Sequence, residues 1–556
     1  MRQFCIIGMV ALLAGSAHAQ DNPLQFFPET TALVLRLKEP DRTIEKATQL
    51  ADAVQPGTGS LLTQGAQMLG QAISNPSLTG VDQTKDWYVG VVLAQAGQPV
   101  PVFAIPALDA AALVDAVDEQ METSVQGKWV LYTEKPNKIP GASGANITSK
   151  LTGRSAEFFG AGEIGVFVNA AHLTAVYENE LEQLKEQAND GLNQLRFSAP
   201  NGTNLEPFIQ MYSEFAEYFF HGLEDTSSLT IAATFGEKGL QFEDYLVVKE
   251  GSSADDFLAR YPAKAMPLLD RLPRGQQAYY GLSGGLKAMM KMQLEMAAKM
   301  QTDLEARKKA EALVKSQLER MNSIEFQEVA ASIKFGGEPF LTATSLLQSN
   351  GDVKSLMREL QASGALSGAN GVKQTTELKQ DAEKIGEQSV DLLTVKQEFS
   401  EDLDPTGMQS KMLETMFGPN GIQTRVLYGE DLMFSTTGTL SDLESLVRRS
   451  EGTSSNGLDK VRETLPKEAN LTVLLDMPIL VGQFLKMLGN SGQFPIPIDG
   501  SMIDNLNLQQ SYIGFAVATE PHAVRCRTEI PIEQIQGCVK LGMMIALTAQ
   551  QANGGF

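Results

Sequence analysis

The chain has 556 residues, 67 acidic against 45 basic for a net charge of −22, with 43% apolar residues, four histidines and three cysteines. That apolar content supports packed cores and excludes wholesale disorder, and at about 150 residues per domain the length suggests three to four domain-sized units. The acidic balance argues against nucleic acid or anionic lipid as the main partner, and so few Cys and His exclude a disulfide scaffold or a zinc array.

Residues 1–19 read as a secretory signal peptide. Arg2 gives a positive start, Phe4 to Leu13 form an apolar stretch too short to span a bilayer, and Ala17-His18-Ala19 is an A-x-A cleavage site. The mature chain is expected to begin at Gln20, one charge more negative for the loss of Arg2. No later run reaches the roughly 18 apolar residues of a transmembrane helix, so the product is expected to be soluble and exported, periplasmic or extracellular.

From there the chain repeats one plan. Residues 27–50 open with FPETTALVLRL, residues 272–296 with LPRGQQAYYGL and residues 465–488 with LPKEANLTVLL. Each is an apolar residue, a proline, a polar spacer, a strand, a turn and a helix; proline has no N–H for a sheet ladder and fits just outside the strand. Two apolar runs around a turn, the mark of a β-hairpin, follow at 87–106, 326–347 and 512–531, with a fourth at 229–248. Helices are expected after them at about 108–121, 352–361, 532–548 and 253–260. The fourth hairpin has a degraded opening, read as a strand near Leu195 and a helix at 205–221.

The unit is therefore β-α-β-β-α, present four times. Units one and three are longer: each adds a strand (128–133 and 390–397), an irregular insert, then a strand and helix (162–184 and 429–447). The helix of 429–447 carries a capping box, Ser441 to Glu444. Residues 135–161 and 362–388, rich in Gly, Ser, Lys and Gln, read as loose surface insertions. The expected fold class is α+β, a tandem duplication with halves at 20–265 and 266–556. Hairpins force antiparallel pairing, with helices on one sheet face; ferredoxin-like units and larger shared sheets both satisfy the pattern.

Residues 284–321 contain no proline, and Leu286, Met289, Met296, Met300, Leu304, Val314, Leu318 and Met321 return near helical period. Asp303–Arg307, Glu305–Lys309 and Glu311–Lys315 are acid-first i,i+4 pairs. The spacing predicts one helix, roughly 55 Å long at 1.5 Å per residue, long enough to protrude or to bridge units.

Candidate chemistry is sparse. Gly281-Leu282-Ser283-Gly284-Gly285 matches the G-x-S-x-G nucleophile elbow, where a strand-to-helix turn exposes a serine beside N–H groups able to hold an oxyanion. The matching turns elsewhere read LKEPD and LDMPI, and only His522 follows Ser283, so a Gly-rich turn with Ser283 capping a helix is the plainer reading. Asp402, Asp404, Thr406 and Gly407 resemble the start of a calcium loop, but the acid required at loop position twelve is Leu413, which leaves an acidic turn capping the next helix. Met289, Met290, Met292, Met296 and Met300 suggest copper(I) thioethers, yet most fall at core spacing. His172, His221 and His522 share no ligand spacing. No catalytic, cofactor-binding or metal-ligating residue is therefore assigned. Cys526 and Cys538, twelve apart on the last strand and helix, form a disulfide or stand as two small buried side chains. Asn146, Asn201 and Asn470 head N-x-T sequons, relevant only where the export route glycosylates.

The export signal followed by FPETTALVLRL, and its return as LPRGQQAYYGL and LPKEANLTVLL, resembles a group of secreted bacterial repeat proteins of unknown function, familiar from planctomycete-type genomes. The resemblance implies export and a repeated α+β scaffold, and brings no catalytic residues. The function expected is an exported, soluble, non-enzymatic scaffold or binding protein for a protein or small-molecule partner. The alternatives are a serine hydrolase using Ser283 with His522, and a carrier of an amphiphilic ligand with the Met-rich helix as a lid.

Overall fold

The structure is a computed structural model and describes residues 22–93, 97–140, 144–198, 206–299, 304–362, 372–401, 404–450, 458–491 and 500–553. The signal with its cleavage after Ala19, the Asn201 sequon, and Met300, Asp303 and Asp402 lie outside the described residues. The fold is α+β. The chain divides into two compact units: the chain up to Glu182 with Gly222–Asp255, and Gln183–His221 with Asp256–Phe556.

In the first unit, the strands are β1 (Thr31–Leu37), β2 (Trp87–Leu93), β3 (Pro99–Pro106), β4 (Met121–Gln126), β5 (Trp129–Glu134), β6 (Ile164–Val168), β7 (Thr226–Gly236) and β8 (Gly239–Val248). They pair antiparallel in the order β4-β5-β3-β2-β1-β6-β7-β8. The helices of this unit are α1 (Pro40–Val54), α2 (Gly65–Ala72), α3 (Ala110–Ala116), α4 (Gly153–Ala161) and α5 (Ala170–Val176). Strand alternation sends Trp129 and Leu131 into one core with Phe27, Ile147 and Phe159, and Val130 and Tyr132 into another with Ile73 and Leu113. The sheet is thus covered on both faces, where helices on one face were expected. Apolar runs such as WVLY show why: a strand buried on both sides does not alternate with polar residues.

Along the sequence, α6 (Glu178–Ser198), α7 (Glu206–Asp225) and α8 (Ser253–Arg260) cross the divisions between the units. The strand expected near Leu195 is part of helix α6. Leu181, Leu184, Leu192 and Leu195 recur at helical spacing, and that period outweighs the short apolar pattern around Leu195. It is β6, followed by α5, that precedes and pairs with β7. Asn169 begins that helix: its side chain accepts from the His172 amide at 3.3 Å and donates to the Glu29 carbonyl at 3.1 Å.

The described residues of the second unit form ten strands: β9 (Ala278–Ser283), β10 (Glu325–Phe335), β11 (Leu341–Asn350), β12 (Val372–Ile385), β13 (Gln388–Phe399), β14 (Ile422–Tyr428), β15 (Leu432–Thr436), β16 (Leu471–Leu475), β17 (Ile513–Glu520) and β18 (Ala523–Pro531). They pair antiparallel in the order β12-β13-β14-β15-β11-β10-β9-β16-β17-β18. Its helices are α9 (Leu286–Lys299), α10 (Leu304–Met321), α11 (Val353–Ala362), α12 (Met408–Phe417), α13 (Leu440–Ser450), α14 (Asp459–Arg462), α15 (Met477–Ser491), α16 (Gly500–Asp504) and α17 (Ile532–Asn553). Here too both faces are covered. Tyr279, Ala330, Leu346 and Phe434 meet Leu268, Leu269, Leu443 and Leu446, whereas Leu282, Val329, Leu347 and Met433 meet Leu294, Val314 and Leu356. A further core joins Leu485, Ile503, Leu541 and Met544 of α15, α16 and α17.

Three expectations need correcting, chiefly in this unit. The single helix over 284–321 is two helices folded back on each other, α9 and α10. Lys287 Nζ, at the start of α9, donates to the Asn322 carbonyl, just past the end of α10, at 3.4 Å. A 55 Å rod would leave its apolar stripe in water, whereas the hairpin buries Leu286, Leu294 and Ala298 with Ala310, Val314 and Met321. The ion pairs differ accordingly: Arg307 meets Glu311 at 2.9 Å and Lys308 meets Glu305 at 3.3 Å. Secondly, much of the insertion expected to be loose at 362–388 is the long strand β12, and that at 135–161 contains α4. Strand β12 pairs with β13 alone among the described strands, and its Lys373, Glu377, Lys379 and Asp381 are the charges that keep such an edge from recruiting another chain. Thirdly, the capping box of α13 is Thr439 with Asp442, not Ser441 with Glu444. The Thr439 amide donates to the Asp442 carboxylate at 2.7 Å and the Asp442 amide to the Thr439 hydroxyl at 3.3 Å. Among the described residues, no helix is long and apolar enough to cross a membrane.

Candidate functional site

In the second unit, α9 and α11 lie over the β12–β13 hairpin and leave a cleft of about 320 Å³. Helix spacing puts Met290, Gln293 and Leu294 of α9 on its wall, and Met357, Leu360 and Gln361 of α11. Strand period two brings Gln374 and Thr376 of β12, and Leu393 and Val395 of β13, to the same face, with Thr376 opposite Val395 in register. The volume lies at the small end of the range for small-molecule sites, about 300–1,000 Å³. Methionine side chains with three soft torsions suit a wall that adapts to an irregular ligand.

The polar groups of this cleft are few. None of the lining residues is ionisable. Gln374 Oε1 accepts from Gln397 Nε2 at 3.1 Å. Gln361 Oε1 is buried without a hydrogen-bond partner. A larger crevice of about 530 Å³ between α9 and α10 is rimmed by Glu295, Glu311, Lys315 and Glu319, which suits solvent rather than an apolar ligand. A third hollow, about 330 Å³, lies at the Gly284-Gly285 turn and is lined by Arg260, Lys264 and Lys287 among others.

The residues singled out from sequence are placed as follows. Ser283 is the last residue of β9 and is 1% exposed. Its hydroxyl donates to the Ala469 carbonyl at 2.6 Å and its amide to the Asn470 carbonyl at 2.8 Å, so it neither caps α9 nor lines the hollow beside it. His522 occupies the exposed β17–β18 turn with φ at +58°. Strand β16 lies between β9 and β17 and holds those two strands about 10 Å apart, and His522 lies beyond the end of β17, further still from Ser283. A Ser283–His522 catalytic pair is therefore not assembled. The glycines of the motif have structural causes. A Cβ at Gly281 would lie 2.8 Å from Leu269 and 2.9 Å from the Met266 sulfur, and Gly284 and Gly285 turn the chain at φ +74° and +65°.

Asp404 caps α12, accepting from the Gln409 and Ser410 amides at 3.0 and 2.9 Å and from the Ser410 hydroxyl at 2.7 Å. Desolvation works against its charge, but the amides of Ser410, Gln409 and Met408 and the Ser410 hydroxyl hold the carboxyl below its ordinary range. Met289 and Met290 pack against the core while Met292 is exposed, so these thioethers are spread around the helix rather than gathered. His172 sits in the first turn of α5, where burial lowers its pKa; His221 is on α7. No group of three or more His, Cys, Asp or Glu among the described residues is placed to hold a metal. Cys526 on β18 and Cys538 on α17 are not bonded to each other. Asn470 Nδ2 donates to the Tyr261 carbonyl at 2.7 Å, and the Asn146 side chain accepts from the Thr148 amide at 3.1 Å.

No family model matches the chain, and no curated protein matches it. Among solved structures, a crystal form of TP0453 is similar over 49% of this chain and 97% of that chain, at 10% identity and a TM-score of 0.19. A likeness of that depth carries no functional argument.

Except for Met290, the residues of the cleft were not singled out from sequence, because 362–388 read as loose. The signal was present in Val372, Gln374, Thr376 and Leu378, which alternate with Lys373, Thr375, Glu377 and Lys379 at period two.

Proposed function

We propose that this protein is an exported, non-enzymatic binding protein that holds a small ligand with an apolar body in the cleft between α9, α11 and the β12–β13 hairpin. The observation that carries the reading is the cleft itself, apolar and uncharged in a strongly acidic chain. The amphiphile-carrier reading follows, with the Met-rich helix α9 as one wall rather than a long protruding arm. The non-enzymatic reading is supported by Ser283, whose hydroxyl is buried and spent on a carbonyl.

Export is supported by the signal-like start and by the resemblance to secreted planctomycete-type repeat proteins. A fourfold β-α-β-β-α duplication is supported by two parallels. Strands β1-β2-β3 and β9-β10-β11 pair alike, as do β6-β7-β8 and β16-β17-β18. Asn169 after β6 and Asp476 after β16 each accept an amide hydrogen from the start of the following helix.

A second reading, a scaffold that docks a protein partner, is favoured by α7, which exposes Tyr212, Phe215, Tyr218 and Phe219 along one side. Solvent extraction of the natively purified mature protein, followed by mass spectrometry, separates the two. The carrier reading expects a co-purified apolar small molecule that is lost from Thr376→Trp, in which the indole fills the cleft. An extract without such a molecule, or one unchanged in Thr376→Trp, contradicts it.

A further inference from the structure

We infer that the exposed side of α7 docks a cationic amphipathic helix, a partner segment with Lys or Arg along the flanks of an apolar stripe. The inference rests on α7 being a docking face and is independent of the cleft.

The apolar side of α7 sets the shape of the partner. At about 100° per residue, Tyr212, Phe215 and Phe219 (i, i+3, i+7) line up along the helix, and Tyr218 stands beside them. Each is between 48% and 74% exposed. Buried Ile209 and half-buried Ala216 and Phe220 mark the packed side of α7, about 120° around the helix from the stripe. Phe219 stands edge-on to Phe220 with ring centroids 5.7 Å apart, which fixes its ring before any partner arrives. At roughly 150–250 Å² per aromatic side chain, the four rings leave about 500 Å² in water. Aromatic rings with two torsions lose little entropy on being covered, and patches of this size on a monomer commonly bind something. A stable pair of copies needs about 800 Å² a side, so the stripe is short for a dimer and suits a single helix laid along it.

Charge selects the partner. Helix α7 carries five carboxylates, Glu206, Glu214, Glu217, Glu224 and Asp225, and no Lys or Arg. Residues 178–225 hold ten acidic residues against two basic, a net −8 of the chain's −22. Glu214, one turn before Tyr218, borders the stripe, and Glu217 follows it around the helix; both are exposed. A second copy would set this charge against itself, and an anionic lipid surface would be repelled in the same way. The Lys or Arg residues of a cationic helix instead meet Glu214 and Glu217 at the flank and the faces of the exposed rings, while its apolar side covers those rings.

The test uses the full mature protein and three dansyl-labelled peptides, read by fluorescence anisotropy. They are LKKLLKLLKKLLKL, which presents a cationic amphipathic helix, the same residues reordered without helical period, and the counterpart with Glu in place of Lys. The first is expected to bind saturably, one per chain, at least tenfold tighter than the second, and the Glu peptide is expected not to bind. The double variant Phe215→Ser with Phe219→Ser, its fold checked by circular dichroism, is expected to lose at least tenfold in affinity. Glu214→Gln with Glu217→Gln is expected to lose about fivefold and to show a weaker salt dependence. Equal binding of the reordered peptide by the wild type overturns the inference and needs no variant; binding unchanged by either double variant overturns it as well. Self-association in sedimentation, or binding to neutral phosphatidylcholine vesicles, that disappears in the Phe215/Phe219 variant without peptide binding overturns the cationic partner and leaves α7 as a docking face. If no probe responds to that variant, the docking reading of α7 falls too.

Discussion

Glu328 of β10 is 4% exposed, and its carboxylate accepts the Leu268 amide at 2.8 Å, clipping the segment before β9 onto the sheet. Burial pushes its pKa from 4.5 up to about 7, against the downward pull of the Leu268 amide, Arg462 and Arg271 and with a smaller upward push from Asp270. The sign of the stability effect follows. Below pH 4.5 the carboxyl is protonated in both states; between 4.5 and about 7 the unfolded chain ionises while the folded one holds its proton. Stability from this group is therefore full at low pH and is lost as pH rises through the folded value. At about 1.4 kcal/mol per pH unit, the loss is about 3 kcal/mol. Glu328→Gln keeps an oxygen for Leu268 and removes the titration. Relative to wild type, the variant is expected to gain about 2–3 kcal/mol between pH 5 and pH 8. Urea unfolding at both pH values reads this out. Both tryptophans, Trp87 and Trp129, lie in the first unit, so tryptophan fluorescence reports that unit alone, far-UV circular dichroism reports both, and the second unit's transition is the change in circular dichroism that fluorescence does not share. A variant-to-wild-type difference that is the same at pH 5 and pH 8 would show that Glu328 is ionised like an ordinary carboxylate, and the burial argument would fail.

Arg358→Leu strands Asp391, which is 1% exposed, and is expected to cost about 3–5 kcal/mol in the same urea transition; a loss below 1 kcal/mol would mean that the pair is idle. Gly281→Ala drives a Cβ against Leu269 and Met266 and is expected to cost about 1–3 kcal/mol, measured as a lowered thermal midpoint, whereas an unchanged midpoint would show slack that the structure lacks. Cys538 is exposed, but burial of its thiol and the nearby Asp476 push its pKa up, so iodoacetamide is expected to alkylate it more slowly than free cysteine at pH 7 and faster as pH rises. Peptide mapping checks this; a Cys526–Cys538 disulfide would instead block both residues.

The parts of the fold legible in sequence were those where one physical rule acts alone. The openings at 31–37, 278–283 and 471–475 and the four hairpins stand out because apolar strands sit between Pro- and Gly-marked turns. Strand β12 was missed because its stability comes from pairing with β13, while its own Lys, Glu and Gln residues favour no strand. Between Lys299 and Leu304 the sequence has no Pro or Gly to announce a second helix; Thr302 and Asp303, helix-start residues by type, are its only mark. The Gly-rich turn read at G-x-S-x-G is present, but the cause of Gly281, its closeness to Leu269 and Met266, and the burial of Ser283 are invisible without the sheet register. The cleft was illegible as a whole, since it joins Met290, Gln361, Thr376 and Val395, which only tertiary packing brings together.

The central claim is that the space between α9, α11 and β12–β13 is where this protein binds a small ligand. Fluorescence titration of N-phenyl-1-naphthylamine into the mature wild-type protein and into folded Thr376→Trp tests it most directly. Saturable binding at one site is expected in the wild type, with at least a tenfold weakening in Thr376→Trp. Equal binding by the two proteins would place the ligand elsewhere and contradict that claim.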